Sequence, residues 1–343
     1  MGAKRAPTEV CIVATPEAMV SPVSGLYETL AAVGGLESPE TQRAGGEPFA
    51  VKIVAERAGP VRSPSGLSIA PDATIDQVDR TDVVIVPSMA MTEDHSWEVG
   101  RHPHLVAWLR RMYEGGATLC SACTGGMLTA ETGLLDGQEA TAHWITVTPF
   151  RRRHPEVRLR PEEALVVSGE DGRLVTSGAS TAWHDLLLYL VARYVGPATA
   201  QALARFQLVQ WHSDGQDAFA SFEPPTDHED AAVLAAQRWI AANYAVAAPV
   251  EEMAAVAELA PTTFKRRFKA ATEMTPIAYV QQVRVEKAKR RLETSADPVE
   301  EIAWAVGYDD PAAFRRLFKR TTRLTPGAYR RRFRLPELEG VQR

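Results

Sequence analysis

The chain has 343 residues, 45% of them hydrophobic and 24% charged, with three cysteines. Those values fit a soluble globular protein with room for two domains of ordinary size. Three cysteines, an odd number with two in one segment, argue against a disulfide framework, and no apolar run reaches the roughly 18 residues of a membrane helix. The net charge of −5 conceals an asymmetry: from Ala231 onward 20 Lys and Arg stand against 13 Asp and Glu, and before it 18 stand against 30. On charge alone, a basic C-terminal part reads equally as a nucleic-acid face or as a solvated Arg-rich helix surface.

Taken in order, the chain begins without the apolar core of a signal peptide, so the cytoplasm is the expected compartment. Residues Thr8–Thr15 read as a strand and Val20–Val33 as a helix. Phe49–Ala55 and Asp82–Met89 read as further buried strands, the second β-branched as in parallel sheets. Pro103–Glu114 carries apolar residues at helical spacing and stops at Gly115-Gly116. A strand over Ala117–Ala122 runs into Cys123-Thr124-Gly125-Gly126 and a helix over Met127–Leu135. Leu165–Ser168 and Leu174–Ser177 flank a hairpin signal, and Thr181–Tyr194 is an apolar helix. This alternation predicts an α/β domain of flavodoxin-like type with a mostly parallel sheet.

The strand–Cys123–small-residue–helix passage has the form of a nucleophile elbow. Amides at a helix N-terminus would lower the thiol pKa, and His143 offers an imidazole that could sit beside it. Ligands of open α/β sheets bind beyond the carboxyl ends of the strands, so Met89–Glu93, Cys123, Thr124, His143, Trp144 and Ser180–Trp183 are the candidate pocket. Nothing in the sequence calls for a metal or cofactor.

The motifs around Cys123 and Ala140–Trp144 resemble the class I glutamine-amidotransferase-like superfamily in its PfpI-type branch, over about residues 8–220. Within that branch they resemble the sensor half of GlxA-type transcription factors. Two departures bear on catalysis: Thr124 stands where PfpI-type hydrolases usually have His, and only Glu17 could supply their acidic partner. The resemblance implies a non-catalytic pocket for a small-molecule effector. It points to quaternary amines, with Trp144 and Trp183 in an aromatic cage. The alternative is a Cys123-dependent amidase or hydrolase.

Residues 213–230, with Pro224-Pro225 and an acidic run, read as a linker between a domain at 8–212 and an all-α domain at 231–334. The second domain contains a duplication. The sixteen residues from Phe264 and the sixteen from Phe314 agree at nine positions, and Pro249–Glu252 recurs as Pro298–Glu301. The offset is 50 residues in the first pair and 49 in the second, so one extra residue falls near Asp309-Asp310. Each copy predicts two short helices around a turn: Val250–Ala257 with Pro261–Ala271, then Val299–Val306 with Pro311–Thr321. Phe264, Phe268 and Ala271, and later Phe314, Leu317, Phe318 and Thr321, point inward. Thr262, Lys265, Arg266 and Lys269, and then Ala312, Arg315, Arg316 and Lys319, form an outward face suited to base edges and phosphates.

These copies resemble the AraC/XylS DNA-binding domain, most closely over Arg284–Glu293, Ile302–Tyr308 and Phe314–Lys319. That resemblance implies two helix-turn-helix units joined by a helix over Ile277–Glu293 and entering successive major grooves of a promoter or operator, roughly 34 Å apart. The first copy departs from the pattern, with Glu258 at the turn position usually held by Gly. Paired DNA sites are compatible with a homodimer formed through the first domain.

Overall fold

The computed structural model describes residues 6–44, 46–91 and 97–336, and the chain divides into two compact units, 1–216 and 217–343. The first is built on strands β1 (Thr8–Val13), β2 (Phe49–Ala55), β3 (Val61–Arg62), β4 (Ser68–Ile69), β5 (Ala73–Thr74), β6 (Val83–Val86), β7 (Thr118–Ala122), β8 (Glu139–Ala140), β9 (Arg158–Leu159), β10 (Leu165–Ser168) and β11 (Leu174–Ser177). Its helices are α1 (Val20–Ala32), α2 (Pro39–Ala44), α3 (Pro103–Glu114), α4 (Gly125–Glu131), α5 (Val147–Arg153), α6 (Trp183–Tyr194) and α7 (Pro197–Phe206).

Seven strands form one sheet in the order β10-β11-β7-β6-β1-β2-β5. All neighbours are parallel except the β10–β11 hairpin, which pairs Leu165 with Ser177. Both faces are covered, as the β-branched runs require. Along β1 and β6, Val10, Ile12, Val83 and Ile85 enter the core that includes α1 and α6, while Cys11, Val13, Val84 and Val86 enter the core that includes α3 and α4. The strand expected over Asp82–Met89 stops at Val86 because Pro87 has no N–H to donate. The helix expected over Met127–Leu135 lies earlier and ends before Gly133, whose φ is +73°.

The second unit consists of α8 (Ala231–Asn243), α9 (Pro249–Val256), α10 (Pro261–Thr272), α11 (Pro276–Thr294), α12 (Val299–Ala305), α13 (Pro311–Thr322) and α14 (Pro326–Phe333). It has two cores that repeat one pattern. Phe264, Phe268 and Tyr279 fill the first with Met253 and Ile240; Phe314, Phe318 and Tyr329 fill the second with Ile302 and Leu292. Tyr279 meets Phe268 edge-on at 5.2 Å, and Tyr329 meets Phe318 at 5.4 Å. Burying each such aromatic side chain stabilises the fold by about 1.5–3 kcal/mol.

Each long basic helix ends the same way. Glu273 and Arg323 adopt φ of +60° and +59°, and the hydroxyls of Thr272 and Thr322 donate to Phe268 O and Phe318 O. Thr272 and Thr322 are therefore the buried members of this turn; Ala271 and Thr321, expected inward, are half-buried. The stretch expected as a linker contains no helix or strand, yet it is not free chain. Ala218 is buried in the second core, Phe219 meets Phe333 at 5.0 Å, and Phe222 meets Tyr279 at 5.2 Å.

Candidate DNA-reading helices and a cysteine elbow

In the second unit each copy is a helix-turn-helix. The turn in the first has Glu258 at φ +52° and in the second Gly307 at φ +87°. The closing bonds match: Leu259 N donates to Ala254 O at 3.1 Å, and Tyr308 N donates to Ala303 O at 3.0 Å. The copies differ at the start of the next helix. Asp310, beside the extra residue, accepts from Ala312 N at 2.8 Å and Ala313 N at 3.1 Å, whereas Ala260 offers no side-chain cap.

All eight expected DNA-facing residues are exposed: Thr262, Lys265, Arg266 and Lys269 on α10, and Ala312, Arg315, Arg316 and Lys319 on α13. Their electrostatic settings diverge. Arg315 pairs with Glu300, and Arg316 lies 3.6 Å from Asp310. Lys265, Arg266 and Lys269 have no ion-pair partner among the described residues. Arg267, on the flank of α10, is bound in two-point fashion by Asp230 at 2.7 and 2.9 Å; the same carboxylate caps α8. The exposed pairs of Arg315 and Arg316 contribute little to stability, whereas the two-point Arg267–Asp230 pair is half-buried.

In the first unit Cys123 follows the carboxyl end of β7 with φ +54°, an uncommon backbone for a non-glycine residue. Its N–H donates to Ser177 O at 2.8 Å. Gly125 permits the tight passage, since a Cβ there would lie 2.4 Å from Pro87 O. Thr124 ties the elbow to the end of β6, its hydroxyl accepting from Met89 N at 2.7 Å and donating to Met89 O. The geometry of an elbow is therefore present, but the expected low thiol pKa is not. Cys123 is 5% exposed, and burial pushes the thiol up against the smaller opposing pull of Thr124, Ser180 and Ser88.

His143 is not hydrogen-bonded to the thiol. Its Nδ1 accepts from Ile145 N at 3.2 Å, its ring lies 4.0 Å from that of Trp144, and burial lowers its pKa. Trp183 is packed over Gly25, where a Cβ would come within 2.5 Å of its ring, and it stacks on His184 at 3.6 Å. Of the expected segment Met89–Glu93, residues 92 and 93 lie outside the described residues.

A charged cluster that the sequence did not announce lies after β1. His102, at the start of α3, places Nε2 3.1 Å from Glu17 and Nδ1 2.8 Å from Glu56, and Arg101 reaches Glu17 at 2.9 Å. Burial pushes the Glu17 carboxyl up, but His102 and the other hydrogen bonds outweigh it and hold the pKa down at about 2; Glu17 and Glu56 raise that of His102. The partners of His102 are 46 and 85 residues away, so no local pattern could have revealed them. Glu17 and Arg101 also line a cavity of about 260 Å³ with Pro16, Met91, Trp97 and Glu98. None of Cys123, Thr124, His143, Trp144 and Trp183 lines it.

Residues 17–193 match the DJ-1/PfpI family, just over half of the chain. The chain belongs to that family. Residues 253–332 match a helix-turn-helix domain, so this DJ-1/PfpI member carries an AraC-type DNA-binding domain, the architecture of GlxA-type transcription regulators. The chain is 27% identical to the HTH-type transcriptional regulator CdhR of Pseudomonas aeruginosa, over 75% of its own length and 74% of that protein's. It is 28% identical to the HTH-type transcriptional regulator GlxA of Rhizobium meliloti, over 76% and 78%. It is also 29% identical to the isonitrile hydratase of Pseudomonas putida, over 56% of this chain and 74% of the enzyme. No helix among the described residues is long and apolar enough to cross a membrane.

Proposed function

We propose that this regulator binds double-stranded promoter DNA through α10 and α13, and that its DJ-1/PfpI unit binds a small metabolite without turning it over. The observation that carries the DNA reading is the repeated core, which leaves a basic face exposed on the corresponding helix of each copy. In this reading Arg266 and Arg316 read bases with Lys265 and Arg315 beside them, Lys269 and Lys319 hold phosphates, and Thr262 and Ala312 lie at the groove. The protein acts in the cytoplasm, and dimerisation through the first unit places two copies on paired sites.

The metabolite site lies beyond the carboxyl ends of β1, β6, β7 and β11, where Cys123, Thr124, His143 and Trp144 shape the elbow. The adjoining cavity at Glu17 and Arg101 suits a molecule smaller than most drug-sized ligands. Trp183 supports the wall from within the core, and its burial argues against a cage that includes it. A desolvated thiol with no imidazole bonded to it argues against hydrolysis.

The test uses duplex selected by the full chain from a randomised pool. Arg266→Ala and Arg316→Ala each weaken binding to that site by about 1–3 kcal/mol. Wild-type binding by both variants would remove α10 and α13 as the reading helices. A reporter with Cys123→Ser separates sensor from enzyme: an intact metabolite response supports the sensor, and its loss together with a measurable turnover supports the hydrolase.

A further inference from the structure

Arg284 occupies the point where α11 passes from one helix-turn-helix to the other. Val280 and Val283 belong to the first core, and Val285, Ala288 and Leu292 belong to the second. The Arg284 side chain is buried at 7% exposure and has no carboxylate partner among the described residues. Its donors go to three backbone carbonyls instead. Nε donates to Tyr244 O at 2.7 Å and Nη2 to Val246 O at 2.8 Å, both in the connection between α8 and α9. Nη1 donates to Gly307 O at 2.9 Å, in the turn of the second helix-turn-helix. The guanidinium also lies over the Tyr308 ring at 5.1 Å.

The two segments it joins are in direct contact. A Cβ on Gly307 would lie 2.7 Å from Ala245 O and 2.8 Å from Ala245 Cα, so the turn and the α8–α9 connection touch backbone to backbone. Tyr244 packs against both cores. One planar fork thus fixes the turn of the second helix-turn-helix to the segment that leads into the first helix-turn-helix.

We propose that Arg284 is a positioning residue that sets the separation and relative orientation of α10 and α13, and so confines the protein to DNA with one half-site spacing. This rests on the reading of α10 and α13 as DNA-binding helices. The physical reason is effective concentration. Once one helix is seated, the second engages its half-site at a local concentration set by how narrowly the domain holds it, and a looser joint lowers that value while admitting other spacings. Lysine cannot substitute, because an ammonium is a point donor and cannot span three carbonyls in a plane.

The experiment measures binding of the full chain to the selected duplex and to the same duplex with 1, 2 or 5 base pairs inserted between half-sites. Wild type loses on the order of tenfold or more at 2 inserted pairs, because half-sites must stay in helical register. Arg284→Met binds the original spacing on the order of tenfold more weakly, yet loses less than about threefold further across the insertions, a flattened profile. Arg284→Lys flattens it part of the way, and it decides the matter if Arg284→Met lacks the helical circular dichroism of wild type. A wild-type-shaped profile in a folded Arg284 variant overturns the proposal, as does a wild type indifferent to spacing. Failure of wild type to select any duplex would instead refute the DNA reading itself.

Discussion

The two turn positions, Glu258 and Gly307, give opposite responses to substitution although they occupy the same place in the repeat. Glu258 holds φ +52°, a left-handed conformation that costs an L-residue about 1–2 kcal/mol. Glycine removes that cost but loses about 0.5–1 kcal/mol more backbone entropy on folding. Glu258→Gly therefore stabilises the second unit by about 0.5–1 kcal/mol, raising its Tm by a few degrees, about 2–6 °C. Gly307→Ala incurs the left-handed cost at φ +87° and drives a Cβ to 2.7 Å from the Ala245 carbonyl, which is backbone and cannot swing aside. Strain from such overpacking adds about 1–3 kcal/mol, so the net loss after the entropy gain is about 1.5–4 kcal/mol. Differential scanning calorimetry of the full chain, following the transition of the helical unit, reads both. A Glu258→Gly variant that melts lower than wild type, or a Gly307→Ala variant that melts with it, would refute the argument from backbone conformation.

Three further outcomes are expected. Lys269→Ala and Lys319→Ala weaken binding to selected and unrelated duplexes alike, and each reduces the slope of log K against log salt by about one; an unchanged slope would remove the phosphate contact. Iodoacetamide labels Cys123 slowly at neutral pH and faster as pH rises toward the raised thiol pKa; rapid labelling in mild acid would contradict a desolvated thiol. The Glu17–His102 pair gives stability a defined pH window. The Glu17 carboxyl is held at about 2 against an ordinary 4.5, so its contribution is present above 4.5 and lost as pH falls through about 2. His102 is raised above 6.5, so its contribution is complete below 6.5 and lost as pH rises through its folded value. Urea midpoints of wild type fall between about pH 6 and 8 more steeply than those of His102→Gln; equal slopes would show that the histidine does not titrate there.

Features with a short period or a local cause were legible in the residues alone. The β-branched runs of β2 and β6, the β10–β11 hairpin, the Pro-started helices and the duplicated aromatics each follow from residues close together in the chain. The exposed basic face of α10 and α13 belongs with them, because helical spacing alone separates Lys265 and Arg266 from Phe264 and Phe268. Tertiary structure decided what depends on burial and on distant partners. The small residues after Cys123 announced an elbow, but whether its thiol would be activated turned on solvent exclusion by surrounding elements, and burial won. His102 meets Glu17 and Glu56 only because β1, β2 and α3 converge. Trp183, a cage candidate by composition, became core once α6 packed over Gly25. Arg284 stands in a run rich in charged residues, and only the crossing of two cores turns it inward onto three carbonyls.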